Sequence, residues 1–209
     1  MRVLGIDLSL SATGLAMIET SDEWITPAKI FLRENVDSGF EFSDRQYHYH
    51  GALIMPRSTN VLTRWEEIVL PILDWAQHSQ HIMIEGYAFS NMHAYVRSIA
   101  EIGGIVRYHL RKMGHVPIEI SPSALKKFLT NDGRAKKPQI LSAVREIIPS
   151  IHDHNMADAF GLAQIGCAIY QAGLDLPDHQ AKAIYRIKNP EEKKPKRSRV
   201  LKFENANAE

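Results

Sequence analysis

Three carboxylates far apart in the chain stand where they could act together: Asp7, Glu85 and Asp158. Asp7 closes an apolar run that starts at Arg2, and Glu85 closes another, Ile82-Met83-Ile84. Asp158 falls in the first turn of a long apolar stretch. In an open sheet, neighbouring strand ends share one edge, which is where ligand sites form. A helix starting at that edge can add a third carboxylate. Gathered carboxylates repel one another unless cations neutralise them. Oxygen ligands without thiols select Mg²⁺ or Mn²⁺. Two such ions about 4 Å apart can activate a water and stabilise the leaving 3′ oxygen in phosphodiester cleavage. Each residue also has an ordinary reading: Asp7 as a turn residue, Glu85 as a strand-end surface charge, Asp158 as a charge favoured by a helix dipole. Spacing alone does not choose between them.

The elements that must position these residues follow from apolar periodicity. Residues 2–8 read as a buried strand, the turn chemistry of 11–14 follows, and 15–18 resume an apolar run, so the pair forms a hairpin. A third strand falls within 28–32 or 49–55, and the polar, aromatic stretch 33–50 reads as an insertion or a long third hairpin. Asn60 caps a helix that runs to about His78, with a kink or break expected at Pro71. A strand over 81–85 precedes a long helix over 94–113, in which Gly103-Gly104 points to something packing closely. A strand at 116–120, a short helix opened by Ser121-Pro122-Ser123 and a helix over 138–148 come next. Asp153 or Asn155 caps the last helix, which runs to about Ala172. Hairpin strands followed by strands alternating with helices imply an α/β fold: a mixed five-stranded sheet with helices on both faces.

At 209 residues and 44% hydrophobic composition, one domain with a tail is expected: residues 1–176, then a basic, flexible segment over 177–209 that turns polar and loses periodicity from about Asp178. No apolar run approaches the roughly 18 to 20 residues of a membrane span. The opening run is too short for a signal peptide, and the single cysteine, Cys167, excludes an internal disulfide and a multi-cysteine zinc site, so a cytoplasmic location is expected. The formal net charge of +1 hides an asymmetry: 97–145 carries ten Lys or Arg against three acids, and 182–202 carries nine against two. Two basic blocks suggest a polyanion partner on one face, although solvated helix surface has the same composition. His48 and His50 alternate with Tyr47 and Tyr49, but no third zinc ligand is evident. His152 and His154 lie near Asp158, where a general base or a plain loop position are both open.

The same residues carry a resemblance. Gly5-Ile6-Asp7 followed by Thr13-Gly14 resembles the first motif of the RuvC family of Holliday-junction resolvases. Ile84-Glu85 with Gly104 nineteen residues after the Glu resembles the second. The stretch 125–137, with Lys126 and Lys137 eleven apart around Gly133-Arg134-Ala135, resembles the third, and Ala157-Asp158-Ala159 the last. The four stand in the family's order over most of 3–172. The divergent loops and basic tail are more similar to viral or phage members than to the bacterial housekeeping enzyme, which would place the chain in a host cytoplasm.

The resemblance implies a ribonuclease H-like fold, a homodimer, and paired Mg²⁺-dependent nicks in four-way junctions and other branched DNA, with Mn²⁺ as a substitute. Asp7, Glu85 and Asp158 carry over as catalytic metal ligands. Lys126 and Lys137, with their neighbours Lys127 and Lys136, carry over as DNA contacts, and such contacts make binding salt-dependent. The family's fourth ligand, three residues before the last Asp, is Asn155 here, with Asp153 as a possible replacement or simply the helix cap. The family's junction-stacking aromatic is Ala88 here, flanked by Tyr87 and Phe89, which could stack on unpaired bases or belong to the core. A non-catalytic branched-DNA binder on the same fold stays open. So does an actin-like phosphotransferase, which shares the strand-one Asp and the Thr-Gly hairpin but needs a second subdomain.

Overall fold

The computed structural model describes residues 1–20, 36–43, 47–87 and 93–190. The opening hairpin forms as the periodicity predicts: β1 (Arg2–Asp7) pairs antiparallel with β2 (Thr13–Glu19), from Arg2↔Glu19 to Asp7↔Gly14. Between them, Thr13 Oγ1 donates to the Ser9 carbonyl at 2.8 Å and accepts from the Ser9 N–H at 3.2 Å, which closes the turn. Among the described residues of this region, β3 (Val36–Ser43) pairs antiparallel with β4 (His48–Ile54), as the hairpin alternative expects. The third expected strand is thus the later alternative; 28–32 lie outside the described residues. β5 (His81–Glu85) runs parallel to β1, and β6 (Ile118–Ile120) parallel to β5.

The sheet order is β3-β4-β2-β1-β5-β6. The five expected strands are all present in one mixed sheet, and β3 joins them as a sixth at the edge. It was not counted because only Val36, Phe40 and Phe42 of its eight residues are apolar, a weak signal for a strand, and it stands at the edge of the sheet.

Strand parity sorts the core into two layers. Leu4, Ile6, Leu15 and Met17 face α1 (Val61–Ala76) and α2 (His93–Lys112). Val3, Ala16, Ile18 and Met83 face the other layer, formed by α3 (Pro122–Thr130), α4 (Lys137–Arg145), α5 (His154–Tyr170) and α6 (Asp178–Lys188). Asn60 caps α1 as expected, accepting from the N–H groups of Leu62 and Thr63 at 3.0 and 3.1 Å. The break expected at Pro71 does not occur: α1 runs through it, because Pro71 sits on the buried face among Ile68, Val69 and Ile72 and packing holds the helix together. Asp178–Lys188, at the start of the segment expected to be flexible, form α6, with Ala183 and Ile184 buried. The run 193–199 lies outside the described residues. No helix among the described residues is long and apolar enough to cross a membrane.

α5 is apolar nearly all round, as a helix between two layers must be. It lies directly on β1 and β2 because those strands carry glycine where it crosses. A Cβ on Gly5 would collide with the Ala159 carbonyl oxygen and stand 2.7 Å from Ala163 N. A Cβ on Gly14 would collide with the Asn155 carbonyl.

Candidate active site

Val3, Gly5 and Asp7 share one parity on β1, so Asp7 points to the layer that holds α5. Met83 and Glu85 share the same parity on the parallel neighbour β5. The close seat of α5 on Gly5 and Gly14 brings its first turns over these strand ends. All three carboxylates therefore line one cleft of about 460 Å³. The Asp7 and Glu85 carboxyl groups lie close enough for a hydrogen bond whenever one of them is protonated.

Burial, then the charges of Glu85 and Asp158, raise the Asp7 carboxyl well above the usual carboxylate range. Burial and the Asp158 charge push Glu85 up to about 7, against the Asp7 hydrogen bond and the charges of Lys126 and Lys137. Burial pushes Asp158 up to about 6, against Lys137 and Lys126. The Asp158 Oδ1 atom is buried and has no hydrogen-bond partner.

These groups bind protons more tightly in the folded chain than in the unfolded one. Their contribution to stability is thus fullest below the ordinary carboxylate pKa and declines as pH rises from about 4 to about 7. In EDTA, the melting temperature of the wild type relative to Glu85→Gln is expected to fall as pH goes from about 5 to 7.5. A difference that stays flat or rises in calorimetry would show that Glu85 keeps an ordinary pKa.

The residues fit a hard divalent cation by donor type: oxygen ligands, mutual repulsion, and one buried oxygen without a partner. Among the described residues, however, no three His, Cys, Asp or Glu groups stand close enough to form a ready metal site. The structure thus shows an acidic cleft whose first two carboxyls lie side by side. The same statement covers His48 and His50 on β4, for which no metal cluster forms.

Lys126 of α3 and Lys137, the first residue of α4, line the cleft. Lys127 and Lys136 stand outside its lining; Lys136 is the N-cap of α4, and its N–H donates to Gln139 Oε1 at 2.8 Å. Asn155 lines the cleft, whereas Asp153 is the cap of α5, its Oδ1 accepting from the N–H groups of Asn155 and Met156 at 2.7 and 3.2 Å. His154 also lines the cleft, while His152 Nδ1 meets Arg145 Nη2 at 3.3 Å. Tyr87 lines the cleft too, and Phe89 lies outside the described residues.

Sequence reasoning passed over Arg107, which lines the cleft from α2. Its Nη1 donates to Tyr87 Oη at 2.8 Å, and its Cζ lies 4.7 Å from the Tyr87 ring centroid. Its Nη2 is buried without an acceptor, which costs about 1–3 kcal/mol if nothing supplies one. The available signal was Gly103, one helical turn earlier. Gly103 is the residue of the Gly103-Gly104 pair that packs closely, since its Cβ would collide with Tyr87 Oη; beside Gly104 there is open space.

No protein-family model matches the chain, and no curated protein sequence does. Solved structures do. The RuvC structure of Thermus thermophilus aligns at TM-score 0.57 and 18% identity over 78% of this chain and 91% of that one. The chain has the RuvC fold. T. thermophilus RuvC in complex with a Holliday junction substrate aligns at TM-score 0.59, again at 18% identity, over 78% and 90% of the two chains. The yeast mitochondrial Holliday junction resolvase Ydc2 gives TM-score 0.47 at 10% identity, over 89% and 80%. At these identities the shared property is architecture. On this RuvC-like architecture the chemistry must be argued from the cleft itself.

Proposed function

We propose that the chain is a divalent-metal-dependent endonuclease that nicks four-way junctions and other branched DNA. One observation carries this reading: Asp7, Glu85 and Asp158 come from β1, β5 and α5 into a single cleft that Lys126 and Lys137 also line. Asp7, Glu85 and Asp158 would hold Mg²⁺ or Mn²⁺, with the Asn155 side-chain carbonyl as a weaker neutral ligand. When bound, such ions supply an activated water and charge for the leaving 3′ oxygen. Asp7 and Glu85 would hold the ion as carboxylates, so its binding would be favoured as pH rises. Lys126 and Lys137 seat the phosphate by charge and lower the carboxylates' proton affinity. Asp153 acts indirectly, by fixing the first turn of α5. Lys127, Lys136 and the basic C-terminal segment would meet DNA away from the cleft.

Each chain brings one such cleft among the described residues, so paired nicks across a junction call for a homodimer. The described residues build one sheet, and the second subdomain of an actin-like phosphotransferase has no counterpart among them. The test uses a labelled four-way junction beside linear duplex, with Mg²⁺, Mn²⁺ or EDTA. Nicks in the junction that need either ion support the proposal. Tight junction binding without nicking in both ions would leave a non-catalytic binder on the same fold.

A further inference from the structure

The cleft has a second cationic group that neither the carboxylates nor the two lysines use. Lys126 and Lys137 come from the helix layer on one face of the sheet; Arg107 comes from α2 on the other. Contacts from three parts of the chain hold its guanidinium in place. Nε donates to Glu119 Oε1 of β6 at 2.6 Å. Nη1 donates to Tyr87 Oη at 2.8 Å and to the Gly103 carbonyl at 3.0 Å. The group lies over the Tyr87 ring at 4.7 Å, and Tyr87 Oη occupies the space a side chain on Gly103 would need. Nη2 alone lacks an acceptor, in a side chain that is 21% exposed and lines the cleft.

A guanidinium held this way is preorganised to donate from Nη2 to an oxygen of an anion, and little further side-chain freedom is lost on binding. Tyr87, with its hydroxyl tied and one ring face covered, is a fixed wall and a support for that guanidinium. Arg107 reaches the cleft from α2, whereas Lys126 and Lys137 reach it from α3 and α4 on the opposite face of the sheet. A backbone that passes the carboxylates and the lysines meets Arg107 at a separate place.

We infer that Arg107 is a phosphate-binding residue for the DNA strand in the cleft, gripping a backbone phosphate next to the one at the carboxylates. The inference rests on the nuclease reading above for the identity of the anion. A strand crossing the sheet edge then meets lysines on one side and Arg107 on the other.

Binding of a fluorescein-labelled four-way junction is measured by anisotropy in EDTA over a series of KCl concentrations, with melting temperatures alongside. Arg107→Gln is expected to weaken binding severalfold and to reduce the slope of log Kd against log[KCl] by about one. Glu119→Gln keeps Arg107 and an oxygen that can accept from its Nε while removing a competing negative charge, so it is expected to bind as tightly as wild type or tighter. A merely structural Arg107 predicts the reverse pattern: weaker binding in both variants, with lower melting temperatures and an unchanged salt slope. That pattern would overturn the proposal, and Glu119→Gln decides it even if Arg107→Gln fails to fold. The two readings separate cleanly. Normal Mg²⁺-dependent nicking with a wild-type slope in Arg107→Gln sinks the Arg107 contact alone. A lowered slope in Arg107→Gln, with a wild type that never nicks, sinks the nuclease reading alone.

Discussion

Asp7→Asn is expected to lower the rate of junction nicking in Mg²⁺ on the order of 10³-fold or more, while junction binding stays close to wild type. Asn has the size of Asp but no charge, and a neutral amide is a poor ligand for a hard cation. Its amide can still donate to the neighbouring Glu85 carboxyl. The same change removes one ionisable group from a cleft where burial raises all three carboxyls and repulsion from the others adds to this for Asp7 and Glu85. The variant should therefore melt a few degrees higher than wild type in EDTA near neutral pH. Rate and stability moving in opposite directions separates this outcome from simple unfolding. Gel-based nicking rates and calorimetry on one preparation check both. Nicking within about tenfold of wild type would mean that Asp7 does not hold the ion.

Gly5→Ala is expected to destabilise the fold by about 3 kcal/mol or more, which for a chain of this size is a melting temperature lower by about 6–12 °C. The added methyl has nowhere to go. It meets the Ala159 carbonyl and stands 2.7 Å from Ala163 N, both backbone atoms of a helix that is itself clamped between layers. A flexible side chain could turn aside; a helix backbone moves only as a body. Any such shift carries Asp158 and Asn155 with it, and a displacement near 1 Å at a reacting centre costs about 10²-fold in rate. The folded fraction of Gly5→Ala should therefore also nick slowly. Urea melts and nicking rates measure the two effects. A melting temperature within about 2 °C of wild type would mean that α5 does not rest on this strand as described.

Much of the site could be read in the sequence because its parts obey local rules. Asp7 and Glu85 end apolar runs, and the alternation of a strand already assigns each to a face. Asn60 and Asp153 are good caps, and both cap. Where local rules failed, non-local packing is the reason. Pro71 breaks helices in isolation, yet α1 continues through it because its buried face is held by the sheet. β3 is too polar to stand out, and it exists through its pairing with β4. α6 offers only a few apolar residues at one-turn spacing, a weak signal until α3 supplies the surface they cover. Asn155 and Asp153 were equivalent in sequence. Once Asp153 takes the cap, its carboxylate is turned to the backbone and Asn155 is left facing the cleft.

The sequence by itself determined which side chains could carry the chemistry and at which element ends they stand, because strand and helix periods are local properties of the chain. Only the tertiary structure decided which of them meet. The closeness of Asp7 and Glu85 depends on two strands far apart in the chain lying side by side. The choice of Lys126 and Lys137 over Lys127 and Lys136 depends on how α3 and α4 are rotated against the sheet. The place of Arg107 depends on α2, β6 and Tyr87 closing around Gly103. Those are contacts between distant segments, and no local pattern encodes their geometry.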